Sequence, residues 1–172
     1  MKAAEDAFAR SVAVDSKSTL SLLELADIRY EQKKETLLTD GKFWEYSMYS
    51  AIRQNDWLGF QNNDCELVID LGANKAINQL GVNCYQQPNA RIFYPERVNF
   101  FISEDGSNYQ AAGGITVMDN DYLDGTKWHE VEVPGRRARY LKVEIDRLDF
   151  VPEGRNGEGQ PAWLFIDEIM VR

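Results

Sequence analysis

The amino-acid sequence predicts an all-β fold, a sandwich of about eight antiparallel strands in two packed sheets. Three observations carry that reading. From Glu66 onward, short runs alternate apolar with polar residues, the pattern of strands half-buried on one face. Clusters of Gly, Asn, Asp and Pro separate the runs, and these residues bound strands and form turns. No long segment carries the 3.6-residue period of a helix. A chain of 172 residues fits one domain that buries roughly 70% of its unfolded surface.

Taken in order, Met1 to Arg10 mixes alanines with charges, and residues 1–18 read as a linker or N-terminal extension ahead of a domain over 19–172. Ser11 to Leu23 is β-permissive, with Leu20 and Leu22 able to face a core. Residues 24–65 form a long connection crowded with Phe43, Trp44, Tyr46, Tyr49, Trp57 and Phe60, and such lengths are functional or internally packed. Glu66 to Leu71 reads as a strand stopped at Gly72-Ala73-Asn74. Alternation then marks strands through Leu80, Val82 and Cys84, through Val98, Phe100 and Ile102, and more weakly through Ile115 and Val117. It resumes through His129, Val131 and Val133 and through Leu141, Val143 and Ile145, before a last apolar run at Leu164 to Ile169.

The connections are of two kinds. Those at 72–75, 103–107 and 134–137 read as tight turns, whereas 24–65, 85–96, 118–127 and 146–161 are long and polar or aromatic. Short and long alternate, so in an up-and-down course of antiparallel strands the long loops gather at one end. The first is long enough to visit both ends. Function on rigid scaffolds is carried by such loops.

Composition narrows the partners. With 28 acidic against 19 basic residues and a net charge of −9, phosphate backbones and anionic lipid surfaces are repelled. That speaks against nucleic acid and membrane partners, and no apolar run approaches a membrane span. The N-terminus lacks the apolar core of a signal peptide, as expected of a cytosolic protein or of a module cut from a larger secreted chain. Two cysteines do not make a disulfide framework. Cys65 and Cys84 sit near each other if their strands pair as a hairpin and in different sheets otherwise; two partly buried free thiols is the simpler expectation.

An ordered series of motifs now adds to the reading. Leu38-Thr39-Asp40-Gly41 opens a loop that ends at Trp57-Leu58-Gly59-Phe60, followed by Glu66-Leu67-Val68-Ile69-Asp70-Leu71-Gly72. Further on stand Ser103-Glu104-Asp105-Gly106, Ala138-Arg139-Tyr140-Leu141-Lys142-Val143 and Ala162-Trp163-Leu164-Phe165-Ile166-Asp167-Glu168-Ile169. The series resembles the coagulation factor V/VIII type C, or discoidin-like, domain over roughly residues 19 to 172. Within that family it is most similar to bacterial family 32 carbohydrate-binding modules appended to secreted β-N-acetylhexosaminidases. The resemblance implies a discoidin-like jelly roll and a glycan partner, of N-acetylhexosamine or galactose type. It also implies an extracellular or periplasmic setting beside the catalytic domain of a parent enzyme. A structural calcium is implied between the Asp-Gly loop and the last strand, with Asp40 and Glu168 as carboxylate ligands. Lys42 departs from the pattern, standing where relatives often carry an oxygen ligand.

Residue chemistry offers candidates for the sugar site. The Cys84 to Pro95 loop mixes amides, Arg91 and aromatics, and sugars stack C–H faces on rings while their hydroxyls bond amides and guanidinium groups. The alternative is that Ile92 and Phe93 merely tuck this loop onto the core. Asn89, Arg91 and Tyr94 are the candidates here, and Arg155 and Asn156 on the last long loop, with Arg91 and Arg155 meeting in one shallow pocket and Tyr94 as stacking platform. Trp44 and Tyr46 are either further platforms or the first loop's own core, whereas Trp57 reads as structural. Gly154 to Gly159 lacks the Lys-Ser/Thr ending of a phosphate loop and precedes a strand. Asp119 to Gly125 misses the calcium-hand pattern, with Leu123 at a ligand position. His129 is the only histidine, in phase with Val131 and Val133, so a core-edge role is expected and no nucleophile–base pair is legible. The expectation is a non-catalytic carbohydrate-binding module. A protein–protein or inter-domain interaction module of the same fold is the alternative, and a small hydrolase the weakest reading.

Overall fold

The computed structural model describes residues 36–39, 41, 43, 57–118 and 122–172. Contacts divide the chain into Met1–Lys34 and Glu35–Arg172; the description concerns the second unit. The expected boundary at 18/19 and the strand through Leu20 and Leu22 lie outside the described residues. The unit is almost wholly β: β1 (Leu58–Phe60), β2 (Cys65–Gln86), β3 (Arg97–Ser103), β4 (Gln110–Thr116), β5 (Gly125–Asp146) and β6 (Leu164–Val171), with short 3-10 turns at Thr36–Thr39 and Pro88–Ala90. Strand β1 corrects the sequence reading, which left Leu58–Phe60 inside a connection.

All pairings between these strands are antiparallel, in the order β1-β6-β2-β5-β3-β4. Six strands stand among the described residues, where about eight were expected of the chain. Strands β2 and β5 are each 22 residues long and each absorbs two expected strands, β1 is added, and the strand expected within 11–23 is outside the described residues. The turns expected at 72–75 and 134–137 do not reverse the chain. They are irregularities within one long β2·β5 ribbon, where the register slips between Asp70 and Lys75 and again between Ile77 and Gln79. One arm of the ribbon, Cys65–Asp70 with Tyr140–Ile145, extends to β3 and β4; the other, Gln79–Gln86 with Gly125–Glu132, extends to β6 and β1.

The ribbon folds over at these slips. Gly72 has φ +78° there, a left-handed conformation that a side chain would strain. Asp70 accepts the Gly72 N–H at 2.8 Å and a two-pronged pair of bonds from Arg139 at 2.9 and 2.8 Å, while Arg137 donates to the Asn74 carbonyl at 2.8 Å. Both arms thereby close on a single core. Leu67 and Ile69 from one arm and Leu80, Val82 and Cys84 from the other join Val98, Phe100, Leu141, Val143, Ile145 and Leu164. Cys65 and Cys84, at opposite ends of one strand, are both buried free thiols. Burial, then the fields of Asp167 and Cys65, push the Cys84 thiol well up. An extended strand would hold the two about 60 Å apart at ~3.3 Å per residue, so their place in one core cluster reports the fold-over.

Candidate functional site

Folding the ribbon over returns both ends of β2 to one end of the sandwich. The described parts of the long loops at 85–96, 118–127 and 146–161 therefore gather there, although two of the supposed turns are corners; most of 24–65 lies outside the described residues. Contacts fix the gathering residue by residue. Phe93 N–H donates to the Trp163 carbonyl at 2.9 Å and Trp163 N–H to the Arg91 carbonyl at 2.8 Å, knitting loop 87–96 to the start of β6. Asn156 Nδ2 donates to the Asn89 carbonyl at 3.2 Å. Gln86, fully buried, accepts the Tyr94 N–H at 3.3 Å and donates from Nε2 to the Leu123 carbonyl at 3.0 Å. One amide thus ties the 87–96 loop to the one before β5. Gln86 lies in phase with Leu80, Val82 and Cys84, and a polar residue on an inward-facing register was the available signal for it.

Of the expected sugar contacts, Asn89, Arg91, Arg155 and Asn156 are brought together. Arg91 is half-buried and left-handed at φ 61°, where it caps the Pro88–Ala90 turn through its N–H to the Pro88 carbonyl at 2.9 Å. Its aliphatic stem lies against Gly157, where a Cβ would sit 2.7 Å from Arg91 Cδ. The Gly154 to Gly159 segment is closed on itself: Gly154 N–H bonds the Glu158 carboxylate at 2.9 Å and Glu158 N–H the Arg155 carbonyl at 3.0 Å. Arg155 is exposed, with its guanidinium 4.3 Å from the centroid of Tyr122. Tyr122 is itself left-handed, at φ 55°, and packs edge-on against Phe93 at 6.1 Å. Among the described residues, Arg91 and Tyr122 are the only non-glycine positions with positive φ, and such strain clusters at functional sites.

Tyr94 is a correction. It is only 9% exposed, lies edge-on to His129 at 5.3 Å and belongs to the core, so its ring is not a stacking platform. The half-buried aromatic beside Arg155 is instead Tyr122, from the 118–127 loop. Phe93 and Ile92 are buried, as the alternative reading of this loop held. Trp57 is core, packed on Tyr85 and Ile92. Trp44, Tyr46 and Asp40 lie outside the described residues. Glu168 is buried on β6 and accepts the Gly41 N–H at 3.2 Å, so it does reach the Asp-Gly loop. His129 is 3% exposed, its Nε2 has no hydrogen-bond partner, and burial with help from Lys127 holds its pKa down at about 4. Three of the large exposed apolar side chains, Met118, Leu123 and Phe150, belong to the long loops.

No family model matches the chain, and no curated protein sequence matches it. Solved structures are similar to it. A C-terminal domain of a chitobiase from Bacteroides fragilis is 26% identical, with a TM-score of 0.44 over 80% of this chain and 78% of that one. A family 32 carbohydrate-binding module from a family 31 glycoside hydrolase of Clostridium perfringens is 16% identical, with a TM-score of 0.49 over 79% and 82%. Another from the same organism, solved with GalNAc-β-1,3-galactose, is 17% identical, with a TM-score of 0.47 over 78% and 80%. The chain is an all-β protein whose similar solved structures include family 32 carbohydrate-binding modules, the group its sequence motifs resemble.

Proposed function

We propose that the chain is a non-catalytic glycan-binding module whose site is the long-loop end. The observation that carries this is the meeting of Arg91, Arg155, Asn156 and the Tyr122 ring from three separate loops on one rigid support. A sugar needs an apolar ring face beside fixed donors and acceptors, and a shallow site on preorganised loops supplies them at low entropic cost. As an appendage of a secreted glycoside hydrolase of the β-hexosaminidase kind, working outside the cell or in the periplasm, it would raise the effective concentration of substrate by tethering. That setting rests on the sequence resemblance. A glycan array probed with the chain tests the binding: reproducible signal on a defined glycan class, lost when Arg155 is replaced, is the expected outcome. Steady turnover of chromogenic glycosides by the chain alone would instead make it an enzyme.

The exposed Met118, Leu123 and Phe150, all on the long loops, favour a second reading, a docking face for another protein domain, since exposed apolar surface marks interaction sites. A blank array together with a stable complex with a neighbouring domain would select it.

The calcium belongs to the same proposal. The buried Glu168 carboxylate beside Gly41 suits a hard cation; Glu168 and Asp40 would hold it with backbone carbonyls of the Asp-Gly loop. The ion would cross-link that loop to β6. Chelation is expected to lower the unfolding temperature, and an unchanged melt would remove calcium from the account.

A further inference from the structure

The described arginines divide by how their donors are used. Arg97 lies 3.6 Å from the Asp146 carboxylate, Arg139 grips Asp70, and Arg147 bonds Asp149 at 3.0 Å. Arg136 and Arg137 donate to the carbonyls of Ala111 at 3.1 Å and Asn74 at 2.8 Å. Arg172, whose backbone pairs with Gln79 away from the long loops, does neither among the described residues, and at the loop end Arg91 and Arg155 do neither. Among the described residues no carboxylate or carbonyl accepts from either guanidinium, although the protein carries a net charge of −9. Both stand at one site, since Arg155 is two residues from the Gly157 against which Arg91 rests.

What holds these two in place leaves their donors unspent. Arg155 uses its planar face on the Tyr122 ring, 4.3 Å away, and a stacked guanidinium keeps its in-plane N–H groups free for a bidentate acceptor. Arg91 is held by its aliphatic stem against Gly157 and by its left-handed backbone. Two forks with no acceptor among the described residues match a planar or tetrahedral anion, because carboxylates and sulfate esters take paired N–H donors. Resting on the glycan-binding reading above, we propose that the site selects acidic glycans, with Arg91 and Arg155 clamping a sugar-borne anionic group while Asn156 and the Asn89 segment border the sugar ring. A protein of this net charge repels a polyanion elsewhere on its surface, so affinity for one reports the local pair.

The test is titration of the full chain with three trimers: a galacturonate, a sulfated galactose oligomer and the neutral galactose oligomer. At least one acidic trimer is expected to bind ten times more tightly than the neutral one, the two acidic arms separating carboxylate from sulfate ester. That preference should vanish in R91A and in R155A and return in part in R91K and R155K, all with unfolding midpoints matching the parent. Equal affinity for neutral and acidic trimers, or array binding confined to neutral glycans, overturns the acidic specificity and leaves glycan binding intact. Failure to bind any glycan overturns both. Asp119 and Asp121 neighbour Tyr122 in sequence, so acidic binding that emerges only in the D119N/D121N variant would mean an internal partner and overturn the proposal.

Discussion

The two ends of this sandwich use the same residue types in opposite ways. At the corner end, polar groups are consumed by the fold. Asp105 accepts the N–H groups of Ser107 and Asn108, both at 2.8 Å, the Asn108 amide at 2.7 Å and the Ser103 hydroxyl at 2.9 Å. Those bonds, the backbone ones first, hold its carboxyl far below the usual range. Asp70, Arg139, Arg137 and Asn74 are similarly spent on the fold-over. At the loop end, the Arg91 and Arg155 guanidinium groups are positioned by packing and stacking with no carboxylate or carbonyl acceptor among the described residues. Arg91 and Tyr122 carry positive φ there, and Leu123 and Phe150 are 66% and 59% exposed. The corner end spends its guanidinium hydrogen bonds on shape. At the loop end Arg147 does the same with Asp149 and Arg97 lies beside Asp146, whereas Arg91 and Arg155 have no such acceptor among the described residues. Exposed paired arginines therefore say little about function, and arginines held without a polar acceptor say more.

The largest expected effect lies beneath the loop end, at His129. Its folded pKa, about 4, is below the unfolded value of about 6.5, so the unfolded chain binds the proton first as pH falls. The stability this represents is fully present above about pH 6.5, declines through the window down to about pH 4, and amounts to roughly 3 kcal/mol. Urea unfolding followed across that window should show the loss, and His129→Phe should flatten it. A parent protein with no slope there would mean that the ring is solvated or bonded under the site, and the rigid support would be in question.

Arg155→Ala addresses the contrast itself. It is expected to weaken binding of the glycan identified on the array by about tenfold, roughly 1.4 kcal/mol, while leaving stability within about 0.5 kcal/mol of the parent. A clear drop in melting temperature with unchanged affinity would place Arg155 with the structural arginines of the corner end.

Gly157→Ala couples the two properties. Gly157 has φ +84° and its added Cβ would meet Arg91 Cδ at 2.7 Å, so a cost of about 1 kcal/mol in stability should accompany weaker binding as Arg91 is displaced. Equilibrium unfolding and titration of the same preparation read both. The smallest effect is expected at Arg97→Ala, because the pair with Asp146 is long and its side chains are 55% and 40% exposed. Less than about 0.5 kcal/mol should be lost, with no change in glycan affinity; a larger loss would show that exposed paired arginines carry more of the fold than their geometry indicates.

Much of this was legible in the chain. Val98, Phe100, Leu141, Val143 and Ile145 are all fully buried, as their alternation required, because the two-residue period of a strand is a local property that needs no knowledge of its partners. The meeting of the 85–96 and 146–161 loops, and with it the nearness of Arg91 to the Arg155 loop, was expected from turns at 72–75 and 134–137 that prove to be corners, so the expectation was met by a different route. What the sequence left open was decided by residues far apart in it. Whether Gly72 ends a strand or bends one depends on the β5 ribbon across from it, since Asp70 is fixed by Arg139 and Asn74 by Arg137. Whether Tyr94 or Tyr122 presents its ring depends on His129, which draws the first inward, and on Phe93 and Arg155, which bracket the second at the surface. Alternation is written in neighbouring residues; the turning of a corner and the choice between two tyrosines are settled only when distant side chains compete for the same space.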